Sequence, residues 1–175
     1  MFRKIAIVVV VLIAGILIFA STKPDTFGVQ RSAAIKAPPE KVFALINDFK
    51  RWDAWSPWGK KDPAIKRTWG VVTSGKGAHY AWDGNSDVGQ GSMEITESVP
   101  SSKVALKLDF VKPFEGHNTV DFTLAPQGDI TNVTWKMQGP APFITKVMQV
   151  FCNMDSMIGK DFEAGLANLK AAAEK

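Results

Sequence analysis

The segment of residues 142–175 constrains the fold most, because it is the longest periodic stretch outside the N-terminal apolar run. Its apolar residues recur at steps of three and four, which stacks them on one face of an α-helix. Pro142 suits the first position of such a helix, and the polar residues between the apolar ones hydrate the opposite face. The rest of the chain must therefore cover an apolar face made of Phe143, Val147, Val150, Phe151, Met154, Ile158, Phe162, Leu166 and Leu169.

The two halves of this segment differ in composition. The first half, up to Met157, is rich in methionine and is interrupted by Asn153 and Asp155, either of which could cap a new helix. The second half contains Gly159 and Gly165, which permit close approach to a sheet although each costs about 1 kcal/mol relative to alanine. We therefore predict that the second half packs on the sheet and holds the fold. The first half is predicted to be a separate, more mobile wall over a cavity mouth.

Upstream of this helix the apolar period changes to two, which is typical of strands with one apolar face. Turn residues separate the runs, for example Asp-Gly-Asn at 83–85 and Pro-Gln-Gly-Asp at 126–129. Short turns between neighbouring strands predict an antiparallel sheet. The six runs are marked by Ile65/Trp69, Tyr80/Trp82, Met93/Ile95, Val104/Leu106/Leu108/Phe110, Val120/Phe122/Leu124 and Val133/Trp135/Met137.

One more strand and two short helices precede these six runs. Residues 27–36 alternate as a first strand, and Pro39 with Glu40 is typical of a helix start. Asp48 can cap a second short helix that ends before Pro57. The order of elements predicts an α+β fold, in which a seven-stranded antiparallel sheet curves around the long C-terminal helix.

The N-terminal run of residues 5–20 carries no charged or strongly polar side chain. Its 16 residues span about 24 Å as a helix, and Phe2 and Ser21 can extend it toward the 17–25 residues, roughly, that cross a bilayer. The bulky Ile18 and Phe19 make a poor cleavage site for a signal peptidase. We predict an uncleaved transmembrane anchor in preference to a cleaved signal peptide.

The positions of the charges around this run predict its orientation. Arg3 and Lys4 should keep the N-terminus in the cytoplasm, which places the rest of the chain on the periplasmic side of a bacterial inner membrane. The predicted organisation is an anchor at 1–22, a linker at 23–26 and one domain at 27–175.

Composition argues against several classes of function. Without Arg3 and Lys4, 19 basic residues stand against 17 acidic ones, and a net charge of +2 does not favour nucleic acid as a partner. The single cysteine, Cys152, excludes an intramolecular disulfide and a cysteine-cluster metal site. The sequence has no His-x-x-x-His pair and no Gly-x-Ser-x-Gly elbow, so we predict neither a metal nor a cofactor.

Three stretches carry a family resemblance. They are Ile-Lys-Ala-Pro-Pro-Glu-Lys-Val-Phe at 35–43, Trp-Asp-Ala-Trp-Ser-Pro-Trp at 52–58, and the C-terminal segment at 158–169. Together with the order of elements, these stretches resemble the START-like (SRPBCC) superfamily, in its bacterial polyketide cyclase/dehydrase and lipid transport branch. The resemblance covers about residues 27–175. It implies a helix-grip fold with a cavity between sheet and helix, which usually holds an apolar or amphipathic ligand.

Alternation along the strands assigns the polar residues to faces of the sheet. Asn118 shares the inward parity of Val120, and Tyr80 also points inward, whereas His79 and His117 fall on the outer, solvated face. A general base must lie within hydrogen-bond reach of its substrate, so we predict no catalytic histidine in the cavity.

An enzyme of the cyclase or dehydratase type is the first alternative that the family label implies. Such an enzyme would need polar groups that converge in the cavity, and the inward candidates are Asn118, Tyr80, Arg67 and Glu97. Arg67 and Glu97 lie near strand ends, where a salt bridge at the rim is the simpler interpretation. The second alternative is a packed domain without a cavity that acts as an interaction or stress module in the cell envelope.

The six tryptophans and the C-terminal methionines are the strongest indication of a binding site. Each tryptophan alone is explained by core packing, but as a set with methionines on the facing helix they are typical of an adaptable apolar site. We predict a membrane-tethered domain that binds a hydrophobic or amphipathic small molecule, a lipid or a lipid-like metabolite. The predicted lining residues are Trp55, Trp58, Trp69, Tyr80, Trp82, Met93, Phe110, Asn118, Phe122, Trp135, Met148, Phe151 and Met154.

Overall fold

The computed structural model describes residues 2–175, which form one seven-stranded sheet, five α-helices and a 3-10 helix. The helices are α1 (Phe2–Ser21), α2 (Pro39–Ile46), a 3-10 helix (Phe49–Ala54), α3 (Trp58–Lys61), α4 (Phe143–Phe151) and α5 (Met154–Ala173). The strands are β1 (Thr26–Ile35), β2 (Lys66–Trp69), β3 (His79–Asp83), β4 (Gln90–Val99), β5 (Lys103–Lys112), β6 (Gly116–Gln127) and β7 (Ile130–Pro140).

The sheet has the strand order β1-β7-β6-β5-β4-β3-β2, and every neighbouring pair is antiparallel. Short connections explain the run from β2 to β7, in which each strand pairs with its successor. The first strand then pairs with the last one, and α2, the 3-10 helix and α3 form the connection from β1 at one edge of the sheet to β2 at the other. The predicted fold class, a seven-stranded antiparallel sheet with a C-terminal helix, is confirmed.

The connection between β1 and β2 is fixed by tryptophan side chains. Asp48 caps the 3-10 helix by accepting a hydrogen bond from the backbone N–H of Lys50, as predicted for a helix start. The Trp52 indole donates to the carbonyl of Ile46 at 2.8 Å, and the Trp55 indole donates to the carbonyl of Leu45 at 3.0 Å. Because these carbonyls end α2, the two indoles tie α2 to the 3-10 helix that follows it.

The C-terminal segment contains two helices, as its composition indicated. Cys152 ends α4 in an extended conformation, and Asn153 caps α5 by accepting from the backbone N–H of Ser156 at 3.1 Å. The helix α5 buries Phe162, Leu166 and Leu169 against the sheet, whereas α4 has no fully buried residue.

Two glycines bring α5 close to the sheet. A side chain at Gly159 would collide with the guanidinium of Arg31 on β1, which bonds Asp155 at 2.9 Å and Glu163 at 2.7 Å. One turn and a half further along, Gly165 faces the Trp135 ring of β7. This arrangement explains why α5 tolerates residues with low helix propensity at these two positions.

The two ends of the sheet differ in the connections that lie there. The start of β1, the end of β7, and the β3–β4 and β5–β6 connections share one end, because Thr26 pairs with Pro140 and Gln90 pairs with Lys112. Since α1 leads into β1 here, we call this the anchor end. The β4–β5 and β6–β7 turns lie at the opposite end, which we call the far end.

Replacing Gly165 with alanine tests the close contact between α5 and the sheet. A Cβ at this position would lie 2.7 Å from the Trp135 ring, and overpacking of this kind costs about 1–3 kcal/mol. The gain in helix propensity is about 1 kcal/mol. We therefore expect Gly165→Ala to lower the free energy of unfolding, measured by urea denaturation of the detergent-solubilised chain.

The exposed Ala167 of the same helix provides the control. Ala167→Gly should destabilise the protein by about 1 kcal/mol through propensity alone. If Gly165→Ala instead stabilised the protein by a similar amount, the contact with Trp135 would not be tight.

Candidate ligand-binding cavity

A cavity of about 400 Å³ lies between the concave face of the sheet and the helices. Strands β2 to β7 supply its floor, the 3-10 helix and α3 one side, and α4 with α5 the roof. The volume is within the range of small-molecule pockets, roughly 300–1,000 Å³. The second alternative from the sequence, a packed domain without a cavity, does not fit this structure.

A row of aromatic rings forms the inner wall of the cavity on β2, β3 and β5. The centroids of Trp69 and Tyr80 lie 4.8 Å apart, those of Tyr80 and Trp82 5.9 Å, and those of Trp82 and Phe110 5.7 Å. Alternation places these rings on one face of the sheet. Trp82 of β3 and Phe110 of β5 meet across the intervening β4 at Gly91, where a side chain would collide with the Trp82 ring. The wall is therefore large and apolar, and its rings support one another.

Ten of the predicted lining residues line the cavity. They come from α3, six strands and the two C-terminal helices, so residues distant in sequence meet at one place. These ten are Trp58, Trp69, Tyr80, Trp82, Met93, Phe110, Asn118, Trp135, Met148 and Met154.

Trp55, Phe122 and Phe151, which were also predicted, do not line the cavity. Phe122 has the inward parity, but the rings of Trp52, Trp55 and Trp135 enclose it within 4.9–6.1 Å. Trp55 is held in the core by its hydrogen bond to the end of α2. Phe151, the last residue of α4, lies on the outer side of this helix and is 68% exposed.

Other lining residues were missed as site candidates. Leu108, Val120 and Met137 follow the inward parity of their strands, so alternation could have identified them. Phe27 and Phe114 lie at the anchor end, next to a linker and in a loop. Phe27 shares the parity of Val29 and Ile35 on β1, so alternation could have identified it too, whereas no periodic signal marks Phe114 in its loop.

Asn118 points inward, as parity indicated, and only 7% of it is exposed. Its amide lies close to the backbone of β7, where a side chain at Gly139 would collide with the amide oxygen. Glycine at this position therefore leaves room for Asn118 in the wall. The amide presents a polar group in a mainly apolar cavity, near its mouth at the anchor end.

A second polar group in the cavity combines Arg67, Tyr80 and Asp53. Arg67 Nη2 lies 3.1 Å from Asp53 Oδ1, and all three residues line the cavity. Burial raises the pKa of Tyr80 above its ordinary value of 10.0, while hydrogen bonding and charge from Arg67 act in the opposite direction. At neutral pH the phenol is therefore protonated and can donate a hydrogen bond.

Glu97 does not join these groups. The register of β4 against β5 shifts between Ile95 and Glu97, and this bulge reverses the parity of the residues that follow. Glu97 is exposed and bonds Lys103 at 2.6 Å on the outer face. The prediction of an inward Glu97 is thus wrong, whereas its interpretation as a surface salt bridge holds.

His117 lies at the mouth of the cavity with its ring turned to the outer side. Its Nδ1 atom is 2.7 Å from Asp109 Oδ1, and the side chain is 62% exposed. The hydrogen bond with Asp109 raises the pKa of His117 above 6.5. A raised pKa means that the folded protein stabilises the protonated form of His117. This contribution to stability is present at low pH and is lost as the pH rises through the pKa of His117 in the folded protein.

The cavity contains no arrangement of ligands suited to a metal ion. Among residues 2–175, no group of three or more histidine, cysteine, aspartate or glutamate side chains could hold one. Within the same residues, the indole nitrogen of Trp135 is the buried side-chain donor without a hydrogen-bond partner. The indole ring stacks on Phe162 at 4.0 Å.

A comparison of the sequence with models of protein families agrees with the observed fold. Residues 26–174 match the family model described as polyketide cyclase / dehydrase and lipid transport. The chain belongs to this family. Comparison with curated protein sequences finds no match.

Solved structures of low sequence identity share the fold of this polyketide cyclase/dehydrase and lipid transport family member. Protein CV1439 from Chromobacterium violaceum is 17% identical with a TM-score of 0.61, over 87% of this chain and 99% of that one. The Aha1 protein from Colwellia psychrerythraea is 16% identical with a TM-score of 0.60, over 85% and 96%. DynU16, from the dynemicin biosynthetic locus, is 16% identical with a TM-score of 0.58, over 87% and 48%. These similarities concern the fold.

The titration of Tyr80 tests the polar end of the cavity. Tyr80 is the sole tyrosine of the chain, so the absorbance of tyrosinate at alkaline pH reports this residue alone. We expect a midpoint above 10.0, because burial disfavours the charged phenolate.

Two variants should move this midpoint in opposite directions. Arg67→Met removes the cation that lowers the pKa of Tyr80 and should raise the midpoint further, whereas Asp53→Asn removes an opposing charge and should lower it. Circular dichroism at each pH confirms that the fold persists. Equal midpoints in the three proteins would show that Arg67 and Asp53 do not face Tyr80.

Proposed function

We propose that this protein is a membrane-tethered domain that binds a hydrophobic or amphipathic small molecule, a lipid or a lipid-like metabolite, in the cavity. The observation that supports this most directly is the cavity of about 400 Å³ walled by tryptophans and methionines. Affinity comes from burial of apolar ligand surface, at roughly 25 cal/mol per Å² before the costs of binding. No covalent step is required.

The distribution of polar groups favours an amphipathic ligand over a purely apolar one. Arg67 and Tyr80 supply hydrogen-bond donors at one side of the cavity, and Asn118 supplies an amide near the mouth. A ligand acceptor oxygen beside Arg67 and Tyr80 gains donors that are already oriented by Asp53 and by packing. The apolar remainder of the ligand lies along Trp82, Phe110 and Met93.

The helix α1 supports the proposed tether. It is long and apolar enough to cross a membrane, and a signal sequence would pass the same test of length and composition. Its apolar side chains are almost all exposed in the folded chain, and only Ala20 is buried among them. Exposed surface of this extent is stable in a bilayer rather than in water. We therefore propose that α1 is an anchor. Arg3 and Lys4 near its start favour an orientation that places residues 27–175 on the periplasmic side.

The chemistry of the polar groups favours binding over cyclase or dehydratase catalysis. A general base needs a pKa close to the working pH, but burial shifts the pKa of Tyr80 upward, away from neutrality. The charge of Arg67 is balanced by Asp53. Of the two remaining candidates, Glu97 lies on the outer face, and the amide of Asn118 cannot act as a general base. Binding an amphiphile requires only the hydrogen bonds of these groups.

Quenching of tryptophan fluorescence by brominated lipids tests the proposed function. All six tryptophans lie at position 52 or later, so α1 contributes no signal. We expect the full chain in nanodiscs of phospholipids brominated on the acyl chains to be quenched strongly relative to nanodiscs without bromine, because acyl chains enter the cavity beside Trp82 and Trp135.

Two neighbouring positions on β6 provide matched variants. Val120 lines the cavity and Thr119 is exposed on the outer face. Val120→Phe adds a ring inside the cavity and should reduce the quenching, whereas Thr119→Phe should leave it unchanged. Equal quenching in the two variants and in the unmodified chain would show that the bromines do not reach the tryptophans through the cavity.

A further inference from the structure

The exposed phenylalanines of the folded domain are concentrated at the anchor end. Within residues 22–175, the phenylalanines at least half exposed are Phe114, in the β5–β6 loop, and Phe143 and Phe151 on α4. Ile144 is 54% exposed and shares a face of α4 with Phe151, seven residues later. The exposed large apolar residues at the far end, Val71, Val72, Val99 and Ile130, are aliphatic and include no aromatic ring.

The helix α4 lies beside the anchor. It packs against α1. On α1, the half-buried Ile16 and the buried Ala20 are four residues apart and therefore share a face. The linker is also fixed to this region, since Asp25 pairs with Lys146 of α4 and its carbonyl accepts from the backbone N–H of Ala141 at 2.7 Å. These contacts leave α4 little freedom to move away from the end of α1.

The mouth of the cavity opens at the same place. Most of the lining residues that are exposed to solvent belong to the anchor end, where Phe114 and His117 flank one side and Pro140 and Pro142 the other. Thr145 and Met148 of α4 face the cavity, while Ile144 and Phe151 do not line it. The helix α4 is thus apolar on its cavity face and on its exposed face.

The linker is too short to separate this surface from a membrane that holds α1. Residues 22–25 connect α1 to β1 and reach at most about 14 Å when extended. At the end of α1, the ammonium of Lys23 lies 4.6 Å from the centre of the Phe19 ring, an arrangement suited to the interface of a bilayer.

We propose that Ile144 and Phe151 of α4, with Phe114 of the β5–β6 loop, insert into the surface of the bilayer that holds α1, so that the cavity opens directly toward the lipids. The occupant of this apolar face is the lipid bilayer. Nearby charges of both signs, on Lys112 and Glu115, mean that apolar insertion rather than attraction to anionic lipids drives the contact. This inference rests on the tether of the proposed function and names the route by which ligand exchanges.

The native Cys152 reports the position of α4. It is exposed and follows Phe151 directly, so a nitroxide attached to it lies at the inserted face. In nanodiscs of phosphatidylcholine and phosphatidylglycerol, we expect this label on the full chain to collide with oxygen, which partitions into lipid, more than with a water-soluble nickel chelate. A label on Asp129→Cys in a Cys152→Ser chain, at the far end, should show the opposite preference.

Paired serine substitutions separate insertion from general effects on the surface. Ile144→Ser with Phe151→Ser should shift the Cys152 label toward water, with the ratio of inserted to free states falling about tenfold or more. Val99→Ser with Ile130→Ser removes exposed apolar side chains at the far end and should leave the Cys152 label in lipid. Neither pair lines the cavity.

Tryptophan quenching by brominated lipids on the same samples distinguishes failure of this inference from failure of the proposed function. A Cys152 label in water, with quenching that Val120→Phe reduces, overturns the docking and leaves ligand binding intact. A label in lipid without cavity quenching supports the docking and contradicts ligand binding. A label shielded from both oxygen and nickel, or broadened by a second nitroxide, would assign this face to a protein partner or a second copy and overturn the inference.

Discussion

The packing of α5 on the sheet is the contact on which the rest of the structure depends. Phe162 stacks on Trp135 at 4.0 Å, Gly165 admits the edge of that ring, and Arg31 joins β1 to the start of α5 through two carboxylates. The stack excludes water over a large apolar area, whereas the exposed ion pairs add little energy and mainly fix the position of the helix. Since Trp135 also lines the cavity, the same contact sets one of its walls.

The cavity follows from a mismatch between a long curved sheet and a single long helix. The helix α5 covers β1 and stacks Phe162 on Trp135 of β7, and α2 covers part of β5 and β6. Neither helix covers β2, β3 or the anchor end of β5, which border the cavity. The aromatic rings on those strands pack against one another and line the cavity, and the 3-10 helix reaches them through Phe49. A ligand completes this part of the core, which is why the aromatic residues there are better understood as a binding wall than as ordinary packing.

Much of the cavity could be predicted because strand alternation and helical periodicity are local properties. They placed Tyr80, Trp82 and Asn118 on the inner face, and Asn153 signalled the helix break. These local patterns gave wrong positions for side chains whose placement depends on contacts between distant parts of the chain. A bulge reversed Glu97, and neighbouring rings enclosed Phe122 although its parity was right.

The sequence by itself determined the elements, their order, the inward faces of the strands and the apolar N-terminal helix, because each depends on the spacing of residues within a short segment. Only the tertiary structure decided that α4 lies against α1, that Arg67 meets Tyr80 and Asp53, and that the cavity opens at the anchor end. These arrangements join residues far apart in the chain. They depend on how the sheet curves and on which surfaces remain uncovered once α5 is in place.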